Sequence, residues 1–275
     1  MAHPRQLTAR LDATAPHAGL RAAAPYAGLR FGLRAGPLYW VLDRMPTPRR
    51  NPFALGYLVV LAATTVFAQF GDPQLVHQLQ AMSSTDGHNL IHTPLRSLLM
   101  SGLWVAGPIW MPYLWAFAFT VAPLERRVGS LRAFGVFAAG HVVGTLLSQS
   151  VVAIAVATGR MGAGELDVLD IGVSYGVLAS LGALAGLLPA RARYLALAGS
   201  VALIVHQITS DGDLITAIGH PTALLTGMAL WGPLRRPPGS WRGGARRLAA
   251  RALPRRRPQS PSQPQPQAQP VLDRA

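Results

Sequence analysis

Two short segments carry residue types that can do chemistry together. The first is Asp170-Ile-Gly172-Val-Ser174-Tyr-Gly176, and the second is Ile218-Gly219-His220-Pro-Thr-Ala223-Leu-Leu-Thr-Gly227. A serine hydroxyl beside an imidazole is the minimum unit of nucleophilic catalysis, because the ring takes the hydroxyl proton. An orienting carboxylate is dispensable where packing fixes the ring. Structural roles compete with this reading. A serine within a bilayer often bonds its own backbone, and G-x-S-x-G in soluble hydrolases needs a strand-turn-helix setting. Pro221 frees a helix carbonyl that the His220 imidazole could satisfy instead.

Other nucleophile and metal chemistries are excluded by composition. The chain has no cysteine, and all 25 basic residues are arginine. That removes disulfides, thiol nucleophiles, Cys-ligated zinc and a Ser–Lys dyad, since arginine does not deprotonate in a protein. There is no H-E-x-x-H motif, and no metal or cofactor is expected. Asp211-Gly-Asp213 lies in a polar loop, which argues against an aspartyl dyad and for solvated charge.

The elements that must position Ser174 and His220 are apolar. Six stretches run Phe53–Phe70, Gly107–Ala122, Phe134–Ala157, Val173–Leu188, Tyr194–His206 and Leu214–Trp231. Several are long enough for a hydrocarbon core of about 30 Å; the fifth is short. All basic residues except Arg96 and Arg160 fall in the two tails or in the loops holding Arg126, Arg127, Arg132, Arg191 and Arg193. The opposite loops hold Asp72 and Asp86, then Glu165, Asp167 and Asp170, then Asp211 and Asp213. The positive-inside rule makes the arginine side the cytoplasm, and six spans put both termini there. Ser174 is four residues past Asp170 and His220 seven past Asp213, which predicts depths of about 6 and 10 Å below the outer face at helical rise.

Half of the 275 residues are hydrophobic, which fits one polytopic domain with two tails. The expected organisation is a basic cytoplasmic tail over 1–52, a six-helix membrane domain over 53–231, and a basic Pro/Gln-rich disordered tail over 232–275. The net charge of +14 is explained by tails and inner loops. Anionic headgroups of the lipid bilayer are the expected counter-charge, and nucleic acid is not an expected partner. No continuous apolar run precedes Phe53, so no signal peptide is expected, and Met45 is a candidate alternative start. Residues Gly19–Trp40 either lie on the membrane surface or form a disordered tail. The Arg/Ala/Gly/Pro bias is associated with GC-rich bacterial genomes, which points to a bacterial plasma membrane.

Small residues should let helices approach closely near the pair. Gly172, Gly176, Gly182 and Gly186 line the fourth stretch, and Ala223 and Gly227 follow His220 on one face. Gly140 and Gly144 form a GxxxG in the third stretch, for which generic packing is the simpler account. His141 is expected to make a packed polar contact in the bundle, and His206 to sit at an interface. The second stretch opens irregularly, with Pro108, Pro112, Trp104, Trp110, Tyr113 and Trp115. Residues Thr93–Ala106 then form an apolar loop in the outer leaflet, or one long kinked helix starts at Leu95. Arg96 either snorkels to headgroups or bonds loop carbonyls.

Taken in order along the chain, these residues resemble the rhomboid intramembrane serine proteases over about 53–231. Gly172-Val-Ser174, with Gly182 eight residues on, is similar to the family's G-x-S-G nucleophile motif. Gly219-His220, Ala223 and Gly227 are similar to its A-H-x-x-G-x-x-x-G. Glu125 through Gly129 matches the E-x-x-x-G turn, and Arg96, Leu99 and Ser101 match W-R-x-L-x-T-S. The resemblance implies an all-α membrane protein, a six-transmembrane-helix rhomboid-like bundle. It implies Ser174 as nucleophile, His220 as general base, and a membrane-protein helix cut near the outer face as substrate. Gly172, Tyr175 and Tyr113 are the candidate oxyanion and support residues, with Gly176, Gly182, Ala223 and Gly227 as packing residues. The chain departs from the pattern at several positions. Tyr175 replaces the glycine after the nucleophile, and Ile109 and Tyr113 stand where the family has its second-helix His and Asn. Leu95 replaces the Trp, and Leu178 the aromatic that supports the histidine. The alternative implied is a rhomboid-like pseudoprotease that binds membrane-protein clients. A solute transporter is disfavoured, since no paired broken-helix repeat is present.

Overall fold

The computed structural model describes residues 45–105 and 111–236. The expectations for Gly19–Trp40, for Gly107–Trp110 and for most of both tails lie outside those residues. Among the described residues the chain is all helical, without a strand.

Helix α1 (Pro52–Phe70) starts on a proline and crosses to a loop capped by Asp72, whose carboxylate accepts from the Leu75 N–H and opens α2 (Pro73–Ser83). Asp86 caps α3 (Gly87–His92) in the same way, and α4 (Pro94–Met100) follows. A 3₁₀ turn over Ser101–Leu103 then gives way to extended backbone at Trp104. Neither expectation for this region holds as stated. The segment is helical for part of its length, and the extended Trp104 breaks any single helix from Leu95.

The second apolar stretch forms α5 (Met111–Ala116), a π-helical turn over Phe117–Val121 and α6 (Ala122–Val128) without interruption. Gly129, at φ +85°, makes the sharp turn into α7 (Ser130–Ala157), a conformation that favours glycine. A 3₁₀ turn (Ala163–Asp167) and an extended loop lead to α8 (Ser174–Ala185). Helix α9 (Ala190–Asp211) is longer than its apolar stretch predicts, because polar residues at both ends join it. Asp213 caps α10 (Leu214–Ala229), and a final turn forms α11 (Trp231–Leu234). Helices α1, α7 and the Ala190–Ser210 part of α9 are long and apolar enough to cross a membrane. Exposed Tyr194, Leu195, Val201, Leu203 and Val205 on α9 are the surface such a helix offers to lipid.

The core is α7, α8 and α10. At Gly140 and Gly144 of α7 an added Cβ would run into Ala179 and the Tyr175 ring. At Gly182 of α8 it would meet the Leu224 carbonyl, and at Gly227 of α10 the Ala179 carbonyl. Backbones therefore touch where glycine removes the side chain. The Gly140/Gly144 pair thus belongs to the packing around Tyr175 and is more specific than expected.

The arginine-rich end is tied by hydrogen bonds. Buried Glu125 accepts from the Phe53 and Ala54 N–H groups, both at 2.9 Å, and so caps α1 across a separation of 72 residues. Buried Asn51 donates to the Ala122 carbonyl at 2.8 Å and accepts from Arg126 at 3.0 Å. Trp231, with Arg193 and Arg235 over its ring, donates to the Gly182 carbonyl at 2.7 Å. Arg193 and Arg235 donate to the Ala185, Leu188 and Gly186 carbonyls. The C-terminal end of α8, where the helix dipole is negative, is thus covered by cations.

Candidate active site

Ser174 is the first residue of α8. Residues 170–173 are not helical, so the depth predicted from helical rise does not apply to Ser174. Gly172 takes φ +137°, where a side chain would be strained, and its N–H donates to the Ser101 carbonyl at 3.0 Å. Gly172 therefore shapes the loop, outside the helix whose face it was expected to line. With 12 residues, α8 is about 18 Å long, short of the hydrocarbon thickness of about 30 Å. Its partner comes from α10, where His220 lies six residues past Leu214, about 9 Å along the helix.

The two meet: Ser174 Oγ lies 3.0 Å from His220 Nε2. Ser174 is half-buried and His220 buried. Their separation is within the reach of proton transfer from an alcohol to an imidazole. Nε2 faces the serine despite Pro221, so the alternative of a ring turned to a freed carbonyl is not what this nitrogen does. The first turn of α8 carries no side-chain cap, which leaves backbone N–H groups beside Ser174 at the positive end of the helix dipole.

Tyr175 supports the histidine. Its ring stands edge-to-face with His220, centroids 5.4 Å apart at 76°. It passes between α7 and α10, where the added Cβ of Gly144 or of Gly219 would strike it. Its hydroxyl donates to the Ile215 carbonyl at 3.3 Å. The aromatic missing at Leu178 is therefore supplied by the residue after the nucleophile. Leu178 instead packs in the buried cluster of Tyr175, Ile204, Ala223 and Leu224. The signal available in the sequence was the pair of glycines, 144 and 219, on the two flanking helices. Tyr113 packs on the cluster that contains Val173, next to Ser174.

A second Ser–His contact has a different character. His141 Nε2 lies 3.1 Å from Ser101 Oγ and 3.1 Å from the Leu98 carbonyl. A carbonyl only accepts, so the hydrogen-bond network assigns the proton to Nε2. That nitrogen cannot take the Ser101 proton, and His141 is the packed polar contact its position predicted. It belongs to a clamp on the preceding loop. Tyr57 donates to the Gly102 carbonyl at 2.6 Å, and Thr64 to the Leu103 carbonyl at 2.7 Å. The Ser101 carbonyl that holds Gly172 is fixed in turn. Arg96 is exposed on α4, and His206 is exposed on α9.

Asp170 is a second anchor of the nucleophile loop. Its N–H donates to Ser84 Oγ at 2.9 Å, and its carbonyl accepts from the Thr85 N–H at 2.9 Å and hydroxyl at 3.0 Å. Its carboxylate accepts from Gln149 Nε2 of α7 at 2.9 Å. Desolvation pushes this loop carboxyl above the ordinary carboxylate range, Asp213 and Asp86 push it further, and bonds from Gln149 and Thr85 oppose the shift. Asp170 is thus half-buried and held by Ser84, Thr85 and Gln149. A cavity of about 470 Å³ adjoins the loop, lined by Thr64, Gln69, Gln80, Trp104, Leu169 and Ile171 among others. Among the described residues no three His, Asp or Glu side chains group to hold a metal.

A family model described as rhomboid-like protein matches residues 48–240. No curated protein and no solved structure matches the chain. The match covers more than half of the 275 residues and contains every residue of the Ser174–His220 site. This chain is a membrane protein of the rhomboid-like family.

Proposed function

We propose that the chain is an intramembrane serine endopeptidase that cuts the transmembrane helices of other proteins near the outer face. The carrying observation is the 3.0 Å contact between Ser174 Oγ and His220 Nε2. His220 Nε2 removes the hydroxyl proton as Oγ adds to the scissile carbonyl carbon. The same proton then goes to the leaving amine as the C–N bond breaks. Water, deprotonated by His220, hydrolyses the acyl-enzyme and restores Ser174. Backbone N–H groups in the first turn of α8 are the candidate oxyanion donors, with Gly172 shaping that turn and the Tyr113 hydroxyl a further donor. Tyr175 holds the His220 ring, and Gly176, Gly182, Ala223 and Gly227 allow the helices to meet.

The same reading takes α1, the α5–α6 run, α7, α8, α9 and α10 as six spans in a cell membrane, bacterial by composition. The arginine-rich end faces the cytoplasm with both tails. A pseudoprotease that binds membrane clients is the second reading. It is favoured by Ile109 and Tyr113, which replace two polar groups of the family's oxyanion site. Loss of one such donor costs about 10²–10³ in rate.

The test uses the full chain in proteoliposomes with model transmembrane substrates, comparing wild type with Ser174→Ala and His220→Ala. Cutting by wild type alone supports the protease. Equal cutting by wild type and Ser174→Ala rules out Ser174 as nucleophile. Client binding without cutting by any form establishes the second reading.

A further inference from the structure

The amide of Gln149 is only half used. Its Nε2 donates to Asp170 Oδ2 at 2.9 Å, while its Oε1 is buried and has no hydrogen-bond donor. Gln149 is 5% exposed, so water reaches it poorly. A buried acceptor left without a donor is destabilising, because it has given up its bond to water. An ionised Asp170 has no proton to offer that oxygen. A neutral Asp170 has one, and would close a two-bond pair with the amide.

The surroundings point the same way. The charged groups that act on Asp170 are Asp213 at the start of α10 and Asp86 at the start of α3, both acidic. The other facing groups are neutral: Gln149 from α7, Ser84 and Thr85 from the loop before α3, and Tyr175 from α8. Asp170 lies outside α7 and α8, in the loop that ends at Ser174. Its backbone is bonded at both N–H and C=O, and Gly172 is bonded two residues on. Whatever loosens Asp170 therefore loosens the backbone that aims Ser174.

We propose that Asp170 is a positioning residue that latches the nucleophile loop as the neutral acid, paired with the Gln149 amide, and releases it when ionised. The role in catalysis rests on Ser174 being the nucleophile; the latch itself does not. The sign follows from linkage. The docked carboxyl binds its proton more tightly than the free one, whose pKa is about 4. Docking is strongest below that ordinary value and weakens as pH rises through the raised one, about tenfold per pH unit inside the window. The burial-driven upward shift already described agrees with this direction.

The experiment is hydrogen exchange of the 168–173 segment in the full chain in nanodiscs, at pH 5 and pH 8, corrected for intrinsic rates. Labelling of Ser174 by a fluorophosphonate is followed in parallel. Wild type should lose protection between the two pH values, about tenfold for each pH unit of the window that lies between them. Asp170→Asn keeps both bonds to Gln149 without a titrating proton, so it should stay protected at both. Asp170→Ala should be unprotected at both. Equal pH dependence in wild type and Asp170→Asn, or a flat wild type, overturns the latch. If exchange behaves as expected while Ser174 never labels and no substrate is cut, the latch stands and the protease reading fails.

Discussion

Tyr175 is the residue through which the support of the dyad can be measured. Two variants separate the roles of ring and hydroxyl. Tyr175→Phe removes one hydrogen bond, the 3.3 Å contact with the Ile215 carbonyl, and keeps the ring against His220. A neutral bond of that length is worth about 0.5–1 kcal/mol net. Tyr175→Ala removes a ring that is 5% exposed and leaves a cavity between the glycines of α7 and α10. Truncating a buried aromatic costs about 3–5 kcal/mol, of which the ring–ring geometry accounts for about 0.5–1.5. For a domain of this size each kcal/mol moves Tm by about 2–4 °C. The expected loss is therefore about 1–4 °C for Phe and about 6–20 °C for Ala. Fluorophosphonate labelling of Ser174 should persist in the Phe variant and collapse in the Ala variant, because only the latter frees the imidazole. Equal loss of labelling in both would show that the hydroxyl, not the ring, is what the site needs, and the account of His220 support would be wrong.

Two further perturbations probe the frame around the site. Glu125→Ala strips the acceptor from two N–H groups at the start of α1, and by charge-assisted bond strengths should cost about 3 kcal/mol. A Tm drop of about 6–12 °C is expected, and an unchanged Tm would remove Glu125 as the α1 cap. Gly227→Ala would drive a methyl into the Ala179 carbonyl and part α10 from α8. Overpacking of this kind costs about 1–3 kcal/mol, and here Ser174 labelling should fall with it. Gly56→Ala on α1 meets open space and is the control, expected to be neutral or stabilising by up to about 1 kcal/mol. If Gly227→Ala proved as harmless as Gly56→Ala, the close approach of α8 and α10 would be refuted.

Some of this architecture needs no three-dimensional information. Apolar helices announce themselves by length and apolarity, so α1, α7 and the shorter α10 lie close to where the apolar stretches predict. Caps are local as well. Asp72, Asp86 and Asp213 each bond an N–H three residues on, and such bonds depend on the chain's own turn. The order of the Glu125, Ser174 and His220 motifs sufficed to point to the rhomboid-like family, because order along a chain is itself one-dimensional.

The remainder depended on residues far apart in sequence. Hydropathy could not tell that α8 begins at Ser174, since Ile171 and Val173 are as apolar as the helix that follows; the bond from Gly172 to Ser101 ends the loop there. Tyr175 looked like a departure from the family pattern. It becomes the His220 support only because Gly144 and Gly219, on two other helices, leave room for its ring. Asp170 was one acid among several in the acidic loops, and only the approach of Gln149, Ser84 and Thr85 makes it an anchor of the nucleophile loop. Composition and periodicity thus determined which apolar segments are helices and which loops carry the arginines, because those properties are summed over neighbours in the chain. Tertiary structure alone decided the 3.0 Å meeting of Ser174 and His220, the seat of Tyr175 and the anchoring of Asp170, because each is a contact between groups that the chain itself holds far apart.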